Sequence, residues 1–165
     1  WQAWSKTSTP VGSINWLLQD IRSGDAAITE IVSEAVMPAE LGYDRNGGIS
    51  FTKGCYTGQE IVARLHYKGT PKQDLYLIKI DFDLNKAGFD KINVENNDLT
   101  VFDSGTKVTL SENLNTVVGT IISAAPASSN SIECLAVLKI AKAESANLGV
   151  DSTPVTVLKR IYSFS

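Results

Sequence analysis

Cys55 is the side chain whose neighbours best equip it for nucleophilic chemistry. It lies in the run Gly47-Gly48-Ile49-Ser50-Phe51-Thr52-Lys53-Gly54-Cys55-Tyr56-Thr57-Gly58-Gln59-Glu60. A free cysteine is usually a small hydrophobe, but this one is flanked by Lys53, glycines and a helix-start signal. Thr57 followed three residues later by Glu60 is a capping-box pattern. It predicts a helix from about Gly58 to about Tyr67, with Ile61, Val62 and Leu65 on the buried face. Cys55 would then sit just before the positive end of that helix, where the dipole and Lys53 both favour the thiolate and a depressed pKa. Each residue also has a purely structural reading. Glu60 completes a cap, Gly54 and Gly58 permit unusual backbone angles, and Lys53 is solvated.

Other chemistries lack their parts. No Ser-His-Asp arrangement and no G-x-x-x-x-G-K-[ST] phosphate loop is present. The only cysteines are Cys55 and Cys134, with no C-x-x-C spacing, and the single His66 cannot complete a zinc set, so no metal site is expected and His66 receives no role. If the chain is an enzyme, its nucleophile is Cys55.

The eight residues Lys53-Gly54-Cys55-Tyr56-Thr57-Gly58-Gln59-Glu60 resemble the K-G-C-Y-x-G-Q-E signature of the YgfZ-type folate-binding proteins, relatives of the glycine-cleavage aminomethyltransferase. Gly47 to Phe51, Val62-Ala63-Arg64 and Met37-Pro38-Ala39-Glu40-Leu41-Gly42 extend the likeness. It implies a folate-binding accessory protein in iron–sulfur cluster assembly or repair, indirectly supporting tRNA modification. The implied cofactor is tetrahydrofolate or a derivative. Lys53, Tyr56, Gln59, Glu60 and Arg64 are the implied contacts, Gly54, Thr57 and Gly58 shape the loop, and Cys55 is the candidate thiolate. In the aminomethyltransferase relatives a glutamate of an R-[IL]-E-x-G run contacts the folate. Here the run is Asp20-Ile21-Arg22-Ser23-Gly24, and Arg22 stands in its place. That departure weakens one-carbon transfer, but an arginine could pair with an anionic glutamyl tail. Two rivals stay open: a tetrahydrofolate-dependent aminomethyltransferase, and a thiol or redox protein acting through Cys55.

The resemblance also implies iron–sulfur proteins as partners, a cytoplasmic location in a bacterium or the mitochondrial matrix in a eukaryote, and a C-terminal β-barrel after a larger folate-binding domain. Because the chain begins at Trp1, it reads as part of something longer, whose N-terminal part would supply most of the folate pocket.

The 165 residues are 43% hydrophobic and 20% charged, enough for one or two folded domains. A net charge of −3 argues against nucleic-acid binding through bulk charge. Charge is uneven, however. Lys53, Arg64, Lys68 and Lys72 surround the motif, and Asp81, Asp83, Asp90, Glu95, Asp98 and Asp103 follow it. These are either solvated faces or an anion-friendly region near Cys55. Two cysteines suit a reducing compartment, and no signal peptide or long apolar run is visible.

The fold class expected from these patterns is α+β. Ser13 reads as an N-cap, with a helix from about Ile14 to Ser23, Ile14, Leu17, Leu18 and Ile21 as its stripe, and Gly24 beyond its end. Trp16, one position off the stripe, reads as an edge residue of the core, the alternative being contact with a neighbouring domain. Residues 25–46 are a connection and Asn46-Gly47-Gly48 a turn. Pro71 marks a switch from helical periodicity to strand alternation. The expected division is therefore 1–72, the end of a folate-binding domain, and 73–165, a small antiparallel barrel. Strands are expected at 74–80, 105–110, 117–123, 132–140 and 154–162, a hairpin at 96–98 and a helical turn at 141–146. Gly119 suggests a bulge or close approach, and Cys134 a buried core residue.

Overall fold

The computed structural model describes residues 12–69, 71–81, 102 and 104–162. Among the described residues the second half forms six strands: β1 (Gln73–Asp81), β2 (Lys107–Leu110), β3 (Asn113–Ser128), β4 (Ser131–Lys139), β5 (Leu148–Val150) and β6 (Thr153–Arg160). They close into an antiparallel barrel in the order β1-β4-β3-β2-β5-β6. Closure satisfies every sheet edge internally. A four-residue helix, α3 (Ile140–Ala143), follows β4.

Side chains alternate across each strand, and here both faces are apolar. Tyr76, Ile78 and Ile80 of β1 join Ile132, Cys134, Ala136 and Leu138 of β4 in one core cluster, with Ile78 opposite Cys134 in register. The alternate residues, Leu75 and Leu77 with Leu135 and Val137, form a second cluster on the other face. Cys134 is fully buried, as expected. At Gly119 the approach is close: a Cβ there would collide with the carbonyl oxygen of Val137 on β4. The short β5 was not anticipated, because three residues carry too little pattern. The expected hairpin at 96–98 lies outside the described residues.

The second cluster needs a cover, and helix α1 (Ser13–Ser23) provides it. Its Leu18 and Ile21 pack with Ala26, Val32 and Leu41 against the outward residues of β1, β3 and β4. The packing thus crosses the expected division between residues 72 and 73. Two expectations for α1 are corrected. The N-cap is Gly12, not Ser13, because Gly12 O already accepts from Asn15 N at 3.1 Å. Trp16 is 74% exposed, since it lies about 200° around the helix from Leu18. Gly24 ends the helix as expected, with φ +84° and its N–H turned back to the carbonyls of Asp20 and Ile21.

Between α1 and the motif, the chain forms a 3₁₀ turn at Glu30–Val32 and a series of turns through residues 38–47. The motif helix α2 (Gln59–Lys68) then leads into β1.

Candidate functional site

The motif loop is held at its base and open at its tip. Ile49 N donates to Tyr43 O at 2.9 Å, and Asn46 Oδ1 accepts from Gly48 N at 3.0 Å. Beyond them, Cys55 is a free, exposed thiol. The Lys53 ammonium lies 5.0 Å from the centroid of the Tyr56 ring, a cation–π contact.

The capping box expected between Thr57 and Glu60 does not form. Gly58 is the N-cap, in the left-handed region at φ +84°, and no side chain caps the helix. The helix therefore starts one residue late, which makes Glu60 its second residue rather than its third. Gln59 turns back instead. Its N–H donates to Tyr56 O at 3.2 Å, and its Oε1 accepts from Tyr56 N at 3.4 Å. The expected buried face is corrected too. No residue of α2 is fully buried: Val62 and Leu65 are half-buried, and Ile61 is 61% exposed.

One face of α2 carries a surface pocket of about 350 Å³ lined by Glu60, Ala63, Arg64, Tyr67 and Lys68. A carboxylate, a guanidinium, an ammonium and a phenol converge there, a set suited to an organic anion that also offers hydrogen-bond donors. Glu60 and Arg64 are thus brought together, one helical turn apart. Lys53, Tyr56 and Gln59 form a separate group at the start of the helix. Arg22 is elsewhere. Its Nε and Nη2 donate to both carboxylate oxygens of Glu133 on β4, at 2.7 and 2.8 Å. That bidentate bond pulls the Glu133 pKa below its usual value and raises that of Arg22. Cys134 contrasts with Cys55: burial, and then the charge of Glu133, push its thiol up to about 12.

His66, given no role by the sequence, is well engaged. Its ring stacks on Phe51 at 4.1 Å with an 18° interplanar angle, Tyr67 meets it edge-on, and Nδ1 lies 3.4 Å from Asp44 Oδ2. Phe51 and His66 are too far apart in sequence for periodicity to pair them. Among the described residues, no three His, Cys, Asp or Glu side chains gather as a metal cage, and no helix is long and apolar enough to cross a membrane.

No family model matches the chain. Among curated proteins, it is 43% identical over 67 residues to the tRNA-modifying protein YgfZ of Edwardsiella ictaluri, covering 41% of this chain and 20% of that protein. Identity to the protein of the same name from Blochmanniella pennsylvanica is 42% over 74 residues, 45% of this chain and 22% of the relative. For that of Hamiltonella defensa it is 48% over 64 residues, 39% and 19%. The matches span about a fifth of the length of these relatives. Over about two-fifths of its own length, this chain is homologous to the bacterial proteins named tRNA-modifying protein YgfZ.

Proposed function

We propose that the chain belongs to a folate-binding accessory factor for iron–sulfur cluster assembly or repair, acting in the cytoplasm and supporting tRNA modification indirectly. Residues 1–72 would complete a folate-binding domain and 73–165 its barrel. The observation that carries this reading is the exposed Cys55 in an intact Lys53–Glu60 signature, in a chain homologous to YgfZ proteins. The donor set fits a tetrahydrofolate. Arg64 and Lys68 suit its glutamyl carboxylates, Glu60 suits the N–H edge of its pterin, and Tyr67 offers a ring to stack. The separate group of Lys53, Tyr56 and Gln59 would add contacts from the loop. Bound there, the folate would supply a one-carbon-carrying amine.

The openness of α2 supports a pocket completed by protein outside this chain, since Ile61 and Tyr67 remain 61% and 69% exposed. Arg22, held by Glu133, supports an accessory role over aminomethyl transfer. The exposed thiol favours a second reading, a thiol or redox protein acting through Cys55.

The test is complementation in cells lacking the native protein, alongside tetrahydrofolate titration of the gene product that contains this chain. Glu60→Gln and Arg64→Ala should weaken folate binding, and Cys55→Ser should bind folate yet fail to support cluster-dependent tRNA modification. Full rescue by a folded Cys55→Ser variant would return the motif to a backbone role. Loss of rescue with no measurable folate binding in any form would favour the thiol reading. Formation of methylene-tetrahydrofolate by the purified protein would favour the transferase.

A further inference from the structure

A second pocket lies at the barrel, where the chain leaving α2 meets α3. It has a volume of about 660 Å³, and none of the motif residues lines it. Pro71, Ile140 and Ala141 form its apolar wall, and the hydrogen bond from Ile140 N to Lys72 O, 3.0 Å, fastens its two sides together. The other four lining residues are all cations: Lys72, Lys139, Lys142 and Arg160. No acid lines the pocket, although acids outnumber bases in the chain, 18 to 15.

The four cations are not equivalent. Arg160 is committed to Asp74, with Nε and Nη2 at 2.8 and 2.7 Å from Oδ2. The Lys139 ammonium donates to Val117 O at 2.9 Å. Lys72 and Lys142 are exposed, and neither has an acidic partner among the described residues. Two uncompensated ammonium groups therefore stand on separate segments at an apolar surface. Such a surface is complementary to an apolar side chain carried between carboxylates. No aromatic ring lines it, so it offers no platform for stacking a nucleic-acid base. The cations come from three separate segments, Lys72 before β1, Lys139 and Lys142 at the end of β4 and in α3, and Arg160 of β6, which suits a chain crossing the pocket better than one compact anion.

We propose that this pocket docks an acidic peptide segment of a partner protein. One aliphatic or aromatic side chain seats against Pro71, Ile140 and Ala141, and flanking carboxylates pair with Lys72 and Lys142. The inference does not depend on folate binding, because it uses a different surface and a different ligand.

The experiment is fluorescence anisotropy at low salt with a labelled pentapeptide, phenylalanine between two pairs of glutamates, combined with amide NMR shift mapping. Saturable binding is expected, with shifts at Lys72 and at residues 140–142. The Lys72→Glu/Lys142→Glu double variant should weaken binding by about tenfold or more, as should replacing the peptide's phenylalanine with alanine. Both lysines are exposed, so the variant should fold, and its circular dichroism checks this. The proposal is overturned if no saturable binding occurs up to about 1 mM peptide, if the double variant binds equally well, or if the shifts map elsewhere. It is equally overturned if phosphatidylserine vesicles bind and the peptide does not.

Discussion

Arg45 grips Asp74 with two nitrogens, Nη2 to Oδ1 at 2.6 Å and Nη1 to Oδ2 at 2.9 Å. Asp74 opens the barrel and has no exposed surface, whereas Arg45 belongs to the turns that precede the motif. The same carboxylate accepts from Arg160 of β6, and Arg45 also donates to Tyr162 O and Ala39 O. Its neighbour Asp44 reaches His66 of α2 at 3.4 Å. Barrel, turns and motif helix are thus joined through two consecutive residues.

Asp74→Asn should expose the strength of that junction. It removes the buried carboxylate charge that both guanidinium groups share, while Arg45 keeps Asp44 3.6 Å from its Nε; breaking such a pair costs about 3–5 kcal/mol when fully buried. Arg45 and Arg160 keep some solvent contact, 16% and 23%, so the expected loss is near the lower end, about 3 kcal/mol. Urea unfolding checks it, and a loss under about 1 kcal/mol would mean that solvent already carries these charges.

The Arg22–Glu133 pair predicts a pH-dependent contribution. The Glu133 pKa is lowered in the fold, chiefly by its hydrogen bond from Arg22. Its stabilisation is therefore complete above the usual value of 4.5 and is lost as pH falls through the lower folded value. Arg22→Ala should cost about 1 kcal/mol or less at neutral pH, because Arg22 is substantially exposed. The gap between wild type and variant in urea melts should close on acidification. A gap constant down to about pH 3 would contradict the pairing.

The two cysteines should differ sharply toward an alkylating agent. Cys55 is exposed, whereas Cys134 is buried inside the barrel with its thiol pushed up to about 12. Folded protein should take up one equivalent of iodoacetamide quickly, at Cys55, and a second only on unfolding. Peptide mass mapping identifies the site. Cys55→Ser should change stability by less than about 1 kcal/mol, as at other exposed positions.

Alanine at three glycines separates barrel from motif. Gly119→Ala drives a methyl into the backbone of Val137, and the barrel should be destabilised by several kcal/mol, on the order of an overpacked core. Gly58→Ala meets open space but must hold φ +84°, a cost of about 1–2 kcal/mol. Gly54→Ala meets nothing within 4 Å and has no such φ, so thermal stability should stay near wild type. Loss of activity in Gly54→Ala without loss of stability would then report on ligand contact at the loop.

The barrel was legible in the sequence because strand alternation is local. Residues 74–80 and 132–140 announce strands by their own pattern, and β1 and β4 lie there. Gly119 announced a bulge or a close approach, and both occur there: the β2–β3 register shifts beside it and the Val137 carbonyl crowds it. The motif was legible as a string of residue types, but not as geometry. Thr57 and Glu60 have the spacing of a capping box, and one left-handed glycine between them moved the helix start and left the box unmade.

What the sequence by itself determined were the contents: an α+β chain, a run of strands after Pro71, a cysteine set apart from the core, and a signature shared with a known family. Tertiary structure alone decided the partnerships. Arg22 meets Glu133 across 111 residues and Arg160 meets Asp74 across 86. Trp16 faces outward because barrel strands occupy the opposite side of α1. Periodicity fixes which residues share a face of one element, since that follows from local backbone geometry. Which element covers that face, and which charge answers which, depends on contacts between distant segments, and those exist only once the barrel has closed.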